Sequence, residues 1–253
     1  MNWRVAFASE IGTSHIAVGS TCEDSCWAQD DTTTDGASIL SVFVSDGAGT
    51  ASHAAEGAEL AIQTAAAFVA SKLSLVDLEF SEVWALECVT AIRNAIFAHA
   101  SEVNLTPRDF ACTFLGAISL NVGTLAMQIG DGGVVLDRGR GLEVAIAPMS
   151  GEYANMTHFV TQEDACDVLV SKIYTEPVTR LAVFSDGIQR LALNMATNTA
   201  HEPFFTPFFN VLSTSALDQQ EELNSALGRF LGSKAVNERT DDDKTLALAI
   251  LAS

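Results

Sequence analysis

Positive charge is scarce in this sequence: 13 Lys and Arg stand against 32 Asp and Glu in 253 residues, a net charge of -19. So acidic a surface repels phosphate backbones and anionic headgroups, which argues against nucleic acid and membranes as partners. It favours metal ions and basic protein segments instead. Long apolar runs are missing as well. No window approaches the ~18 apolar residues of a membrane helix, and the start, MNWRVAFASEIG, has neither the basic flank nor the continuous apolar stretch of a secretory signal. The five cysteines (Cys22, Cys26, Cys88, Cys112, Cys166) are odd in number and include no Cys-x-x-Cys pair. No disulfide framework is therefore expected, and a reduced cytoplasmic compartment fits. With 48% hydrophobic and only 18% charged residues, the chain should fold into a packed globule. Its length suits one domain over residues 1–253.

Familiar catalytic signatures are also absent. The histidines, His15, His53, His99, His158 and His201, are scattered and form no metal-binding helical pair. There is no phosphate loop ending in Gly-Lys-Ser/Thr, no Gly-x-Ser-x-Gly elbow and no Gly-x-Gly-x-x-Gly after a strand.

What is present is a series of apolar runs. Val5 to Ala8, Ile16 to Val18 and Ser38 to Ser45 read as strands. Ala58, Ile62, Ala65, Val69 and Leu73 mark one face of a helix that starts near Ser52, and a second helix is expected over 81–100. Phe110 to Leu120 and Gly123 to Ile129 read as paired strands, with Val134 to Leu136 continuing the meander. An irregular stretch follows from Arg138 to Val160, then a short helix over 163–174 and a strand from Arg180 to Ser185. Helices near 189–196, 203–213 and 219–231 precede a last strand, Thr245 to Leu251. This order does not alternate strand and helix, so two antiparallel sheets covered by helices are expected over a doubly wound parallel fold.

Aspartates stand at the ends of these strands: Asp24 in STCEDSC, Asp46 in FVSDG, Asp131 in QIGDGG, Asp186 in VFSDG, and Asp241-Asp242-Asp243 before TLALAIL. Singly, each also reads as a turn, a helix N-cap or a solvated acidic loop. As a set converging on one sheet edge, they would repel one another unless divalent cations intervened. Oxygen-only ligands select Mg²⁺ or Mn²⁺.

The ordered set resembles the PPM-type, or type 2C, metal-dependent Ser/Thr protein phosphatases, in their bacterial branch. GTSHIAVGSTCEDSCWA, VFVSDGAG, ACTFLGAI with MQIGDGGVVL, LAVFSDGI and TDDDKTLALAIL are similar to the family's motifs, in order. The resemblance implies an α+β, four-layer α-β-β-α sandwich with a binuclear metal site at the sheet edge. Asp46 would bridge two Mn²⁺ or Mg²⁺ ions, with the Gly47 carbonyl on one and Asp186 and Asp242 on the other. Glu23 and Asp24 would act through bound waters, and Asp131 would match a third, weaker ion. Asp243 occupies the family's Asn position. A water activated between the cations would attack phosphorus in phosphoserine or phosphothreonine of a protein substrate, opposing a cognate Ser/Thr kinase.

Two positions depart from the pattern. Gly19 stands where many members carry a phosphate-holding arginine, and Ala48 where a histidine often follows Asp-Gly. His15 and Arg4 are the candidates to replace them. These departures motivate an alternative, an inactive pseudophosphatase serving as a binding module. A phosphohydrolase of small metabolites is a third reading.

Overall fold

A computed structural model describes residues 2–75, 78–146 and 157–252. The chain runs through β1 (Trp3–Glu10), α1 (Thr13–Val18), β2 (Asp24–Thr32), β3 (Ser38–Asp46), α2 (Ala54–Lys72) and α3 (Glu82–Glu102). Then come β4 (Phe114–Leu120), β5 (Gly123–Ile129), β6 (Gly133–Asp137), β7 (Leu142–Val144), β8 (Val170–Tyr174) and β9 (Arg180–Phe184). The last part comprises α4 (Gln189–Ala192), β10 (Leu193–Asn194), β11 (Thr199–Ala200), α5 (Glu202–Thr214), α6 (Gln220–Leu231), α7 (Lys234–Asn237) and β12 (Lys244–Leu251). Two five-stranded sheets form, ordered β1-β12-β9-β6-β7 and β2-β3-β4-β5-β8, and every pairing in them is antiparallel.

The period-two geometry of strands explains the layering. On β3, Ile39 and Phe43 face a core shared with Ala58, Ile62 and Val69 of α2 and with Val89 and Ile92 of α3. Leu40, Val42 and Val44, one residue out of phase, face a second core with Leu181 and Val183 of β9 and Ala247 and Ala249 of β12. The opposite sides of those strands, Ala182, Phe184, Leu246 and Leu248, meet Phe205, Phe209 and Leu212 of α5 and Leu227 and Leu231 of α6. Three stacked cores thus separate four layers, α-β-β-α, as expected. Strands buried on both faces read as continuous apolar runs, which is why SILSVFVS and RLAVF lack polar alternation.

Several expectations fail locally. Residues 16–18 belong to helix α1, not a strand: Ile16 and Val18 are 57% and 79% exposed, so burial does not select an extended form. Gly19, left-handed at φ 73°, stops the helix. Phe110 closes a 3₁₀ turn, Pro107–Phe110, and the strand begins only at Phe114. β6 does not extend the β4–β5 meander; Gly130 and Gly132, at φ 97° and 103°, turn the chain across to the other sheet, where β6 pairs with β9. The helix expected over 163–174 is a set of turns followed by β8, which covers the edge of β5. The helix near 189–196 ends at Ala192, where β10 turns into a hairpin with β11. Within the irregular stretch 138–160, β7 is resolved and residues 147–156 lie outside the described ones. Among the described residues, no helix is long and apolar enough to cross a membrane.

Candidate active site

The strand phase that buries the inter-sheet core also builds the site. Asp46 has the phase of Val42 and Val44, and Asp24, its partner in register, has the phase of Cys26 and Ala28. Both carboxylates therefore enter the gap between the sheets where its apolar filling ends. Ser185 follows Val183 in the same way, and Thr245 precedes Ala247. Asp24 Oδ2 accepts hydrogen bonds from Ser185 Oγ at 2.8 Å and Thr245 Oγ1 at 2.6 Å, and Ser9 Oγ lies 2.8 Å from Thr245 Oγ1. A polar network thus continues the apolar core at this edge.

Asp46 is set by its backbone: its N–H donates to Thr113 Oγ1 at 2.9 Å, and its carbonyl accepts from the Thr113 N–H at 2.8 Å. Gly47 bridges to Cys112 and donates its N–H to the Glu23 carbonyl at 3.1 Å. Asp186 opens a 3₁₀ turn over Asp186–Ile188. Asp131 lies in the β5–β6 turn, where its Oδ2 accepts from Thr157 Oγ1 at 2.8 Å. The side chains meet in a cleft of about 310 Å³ lined by His15, Asp46, Gly47, Ala48, Asp131, Asp186 and Asp242, among others.

Electrostatically this cleft is one-signed. Among the described residues no lysine or arginine lines it, and four aspartates do. Burial, opposed by its two hydroxyl partners and reinforced by Asp243 and Asp186, pushes Asp24 up to about 7. Asp186 is pushed up to about 6 by burial and by the charges of Asp131 and Asp242. Asp46 rises well above the usual carboxylate range through burial and through Asp24 and Asp186, the latter within hydrogen-bonding reach. Among the described residues, three carboxylate oxygens, Glu23 Oε2, Asp24 Oδ1 and Asp186 Oδ1, are buried with no hydrogen-bond partner. Burying such an oxygen unpaired costs about 1–3 kcal/mol or more. Hard cations are the partners this donor set fits. Among the described residues, no three His, Cys, Asp or Glu groups are already gathered closely enough to hold a metal ion alone. The fit is thus to ions that complete their shell with water and backbone carbonyls, as Mg²⁺ does.

The two neighbouring C-terminal aspartates separate in role. Asp242 lines the cleft, whereas Asp243 is 3% exposed and accepts hydrogen bonds from the N–H groups of Gly12 and Glu23, both at 2.6 Å. Asp243 thereby ties the β1–α1 and α1–β2 connections to β12. It also stands 3.0 Å from His15 Nδ1, which lies 3.3 Å from the Thr21 carbonyl as well. Both neighbours are acceptors, so Nδ1 carries the proton and Nε2 is the free nitrogen. Arg4 is remote: it sits six residues from Glu10, toward the opposite end of β1, and donates to the Ser213 carbonyl. It replaces nothing in the cleft. Sequence reading passed over Ser185, Thr245 and Thr157, hydroxyl residues that hold the aspartates, and Ser9, which adjoins Thr245. The signal for two of them was strand phase, since each continues an apolar face to its polar end.

A helix-covered pair of antiparallel sheets that opens at one edge into an acidic cleft is the architecture of the type 2C phosphatases. The profile described as "Protein phosphatase 2C" matches residues 11–231. Serine/threonine-protein phosphatase 3 of Escherichia coli (strain K12) is 52% identical over 252 residues, spanning all of both chains. Among solved structures, the serine/threonine phosphatase Stp1 of Staphylococcus aureus superposes with a TM-score of 0.62 at 13% identity, over 98% of this chain and 95% of that one. RsbX, solved in complex with magnesium, gives 0.55 at 15% identity, over 99% and 96%. At those identities the two structures share the fold. The chain belongs to the protein phosphatase 2C family.

Proposed function

We propose that the chain is a serine/threonine protein phosphatase that requires divalent cations, Mn²⁺ or Mg²⁺, held in the acidic cleft. Residues 1–253 act as one catalytic domain, in the cytoplasm, on phosphoproteins made by a Ser/Thr kinase. The single observation that carries this reading is the set of buried carboxylate oxygens without partners, converging from both sheets. The name of the Escherichia coli relative supports the substrate class, and the magnesium of RsbX supports the ion class.

Asp46 would stand between two ions with the Gly47 carbonyl on one, and Asp186 and Asp242 on the other. Glu23 and Asp24 would act through water, and Asp131 would hold a third, weaker ion. Bound there, such cations supply Lewis acidity and acidify water. The chain's own groups do the positioning. Ser185 and Thr245 occupy one oxygen of Asp24 and leave the other buried without a hydrogen-bond partner among the described residues. Thr113 fixes the Asp46 backbone. Asp243 holds His15 through Nδ1, and among the described residues His15 is the one lining side chain able to carry positive charge toward a phosphoryl oxygen.

One observation favours the inactive alternative. No arginine or lysine lines the cleft among the described residues, Gly19 ends α1 in open space, and Ala48 is a buried methyl. A single assay separates the readings: hydrolysis of p-nitrophenyl phosphate and of a phosphothreonine peptide, with and without Mn²⁺, by wild type, Asp46→Asn and Asp186→Asn. We expect Mn²⁺-dependent turnover reduced roughly 100-fold or more by either substitution, beyond the 10–100-fold typical of outer-shell partners. Turnover indifferent to both substitutions would sink the proposal. Calorimetric Mn²⁺ binding with no turnover would select the binding module.

A further inference from the structure

Outside the acidic cleft, one pocket has the opposite character. It measures about 370 Å³ and is lined by Arg190, Leu191, Leu193, Asn194, His201, Pro203, Phe204 and Arg239. Two of only 13 lysines and arginines in the chain meet here. Neither Arg190 nor Arg239 has a carboxylate within salt-bridge distance among the described residues. Two acids adjoining the pocket-lining residues in sequence, Glu202 and Glu238, are engaged elsewhere. Glu202 accepts the Leu142 N–H and faces Arg180, and Glu238 faces Lys234. In a chain of net charge -19, two unpaired arginines sharing one concavity form a local site for an anion.

Its position ties it to the cleft. Arg190 follows Asp186 by four residues and Arg239 precedes Asp242 by three. At no more than ~3.6 Å per residue, their Cα atoms lie within about 14 Å and about 11 Å of those aspartates. An extended peptide advances about 3.3 Å per residue, so these upper limits correspond to at most roughly four residues. We infer that the Arg190–Arg239 pocket is a substrate-docking subsite that takes an aspartate or glutamate side chain at most roughly four residues from the phosphorylated residue. The inference rests on the phosphatase reading and names the class of protein segment that reading would favour. The apolar walls, Leu191, Leu193 and Phe204, accommodate the methylenes of that side chain while the guanidinium groups meet its carboxylate.

The test uses phosphothreonine peptides that differ only in Glu or Ala at a single position, scanned over each of the positions out to four on either side of the phosphoresidue. Their kcat/KM values are compared for wild type and Arg190→Glu/Arg239→Glu in Mn²⁺, with p-nitrophenyl phosphate as a substrate that cannot reach the pocket. Both arginines are exposed, so the double variant should melt as wild type does. Wild type should prefer a Glu peptide by about three- to ten-fold, the range of one or two exposed ion pairs. The double variant should lose or invert that preference, and p-nitrophenyl phosphate turnover should stay within about two-fold. The preference should also fade in 1 M salt, where screening acts over about 3 Å. Equal rates for Glu and Ala peptides in wild type, or a preference that survives charge reversal, overturns the inference. Absence of p-nitrophenyl phosphate turnover in wild type overturns the phosphatase reading beneath it instead.

Discussion

The two Asp-Gly corners share a dipeptide and a destination but not a backbone. At the first, the chain stays extended past the sheet edge, with Gly47 bridged to Cys112 and Ala48 donating its N–H to the Ala111 carbonyl at 2.8 Å. Helix α2 begins only at Ala54. At the second, Asp186 opens a 3₁₀ turn, and α4 starts at Gln189. The likeness therefore lies in delivery: an apolar strand, one in each sheet, carries an aspartate to the same gap. The glycines also answer to different neighbours. A Cβ on Gly187 would collide with the backbone carbonyl oxygen of Asp243, whereas one on Gly47 would meet the Ala54 carbonyl carbon at 2.7 Å and its Cβ at 2.8 Å.

That contrast predicts the largest effect. Gly187→Ala must move the Asp243 backbone, and with it the bonds to Gly12 and Glu23, so it should cost about 3 kcal/mol or more in urea unfolding. Gly47→Ala can shift the start of α2 and should cost about 1–2 kcal/mol. Gly49→Ala, whose added Cβ meets nothing within 4 Å, should stay within about 0.5 kcal/mol of wild type. Equal costs at Gly47 and Gly187 would erase the distinction between the corners.

Next in size is the response to chelation. The folded-state values of Asp24, near 7, Asp186, near 6, and Asp46, higher than usual, all exceed that of an unfolded aspartate. Groups raised in this way favour the folded protein most below pH ~4 and lose that contribution as pH climbs through the folded values. With cations removed by EDTA, thermal stability should decline between about pH 5 and 7.5. Mn²⁺ should restore it and flatten the profile. Asp46→Asn and Asp186→Asn should each flatten the chelated profile without Mn²⁺, and a chelated profile that rises with pH would contradict the burial of both corners.

How far the corners could be read beforehand follows from their physics. Strand phase is a property of the sequence, so SILSVFVSD and RLAVFSD announced two doubly buried strands ending in acid, and both lie where expected, in facing sheets. The division of labour between Asp242 and Asp243 was hidden, because it depends on two backbone N–H groups more than 200 positions away in the chain. The sheet change at β6 was hidden too. Asp131-Gly132-Gly133 reads as a hairpin turn, and only the left-handed glycines and the pairing with β9 send the strand across. Helix α1 escaped notice because Ile16 and Val18 look like strand residues until their exposure is known. The basic pocket escaped notice because Arg190 and Arg239 are 49 positions apart and meet only through folding.

The smallest predicted effect probes how each corner is held. Thr113, 1% exposed, fixes the first through the Asp46 backbone; Ser185, fully buried, fixes its neighbour's side chain by donating to Asp24 Oδ2 while accepting the Thr245 N–H at 3.1 Å. Thr113→Val keeps the shape and leaves the Asp46 N–H without its hydroxyl, a loss of about 1–2 kcal/mol. Ser185→Ala leaves Asp24 still bonded to Thr245 Oγ1 at 2.6 Å, so about 1 kcal/mol is expected. Their effects on the metal requirement should differ in the other direction. Ser185→Ala frees a carboxylate to turn, and the Mn²⁺ concentration for half-maximal activity should rise roughly 10-fold. Thr113→Val should change it less than about three-fold while lowering kcat. Asp24 and Asp46 are opposite one another in register, so the two substitutions act on adjoining groups, and their stability costs should depart from additivity by more than about 0.5 kcal/mol. Strict additivity would mean that the two corners, although they share a cleft, are held independently.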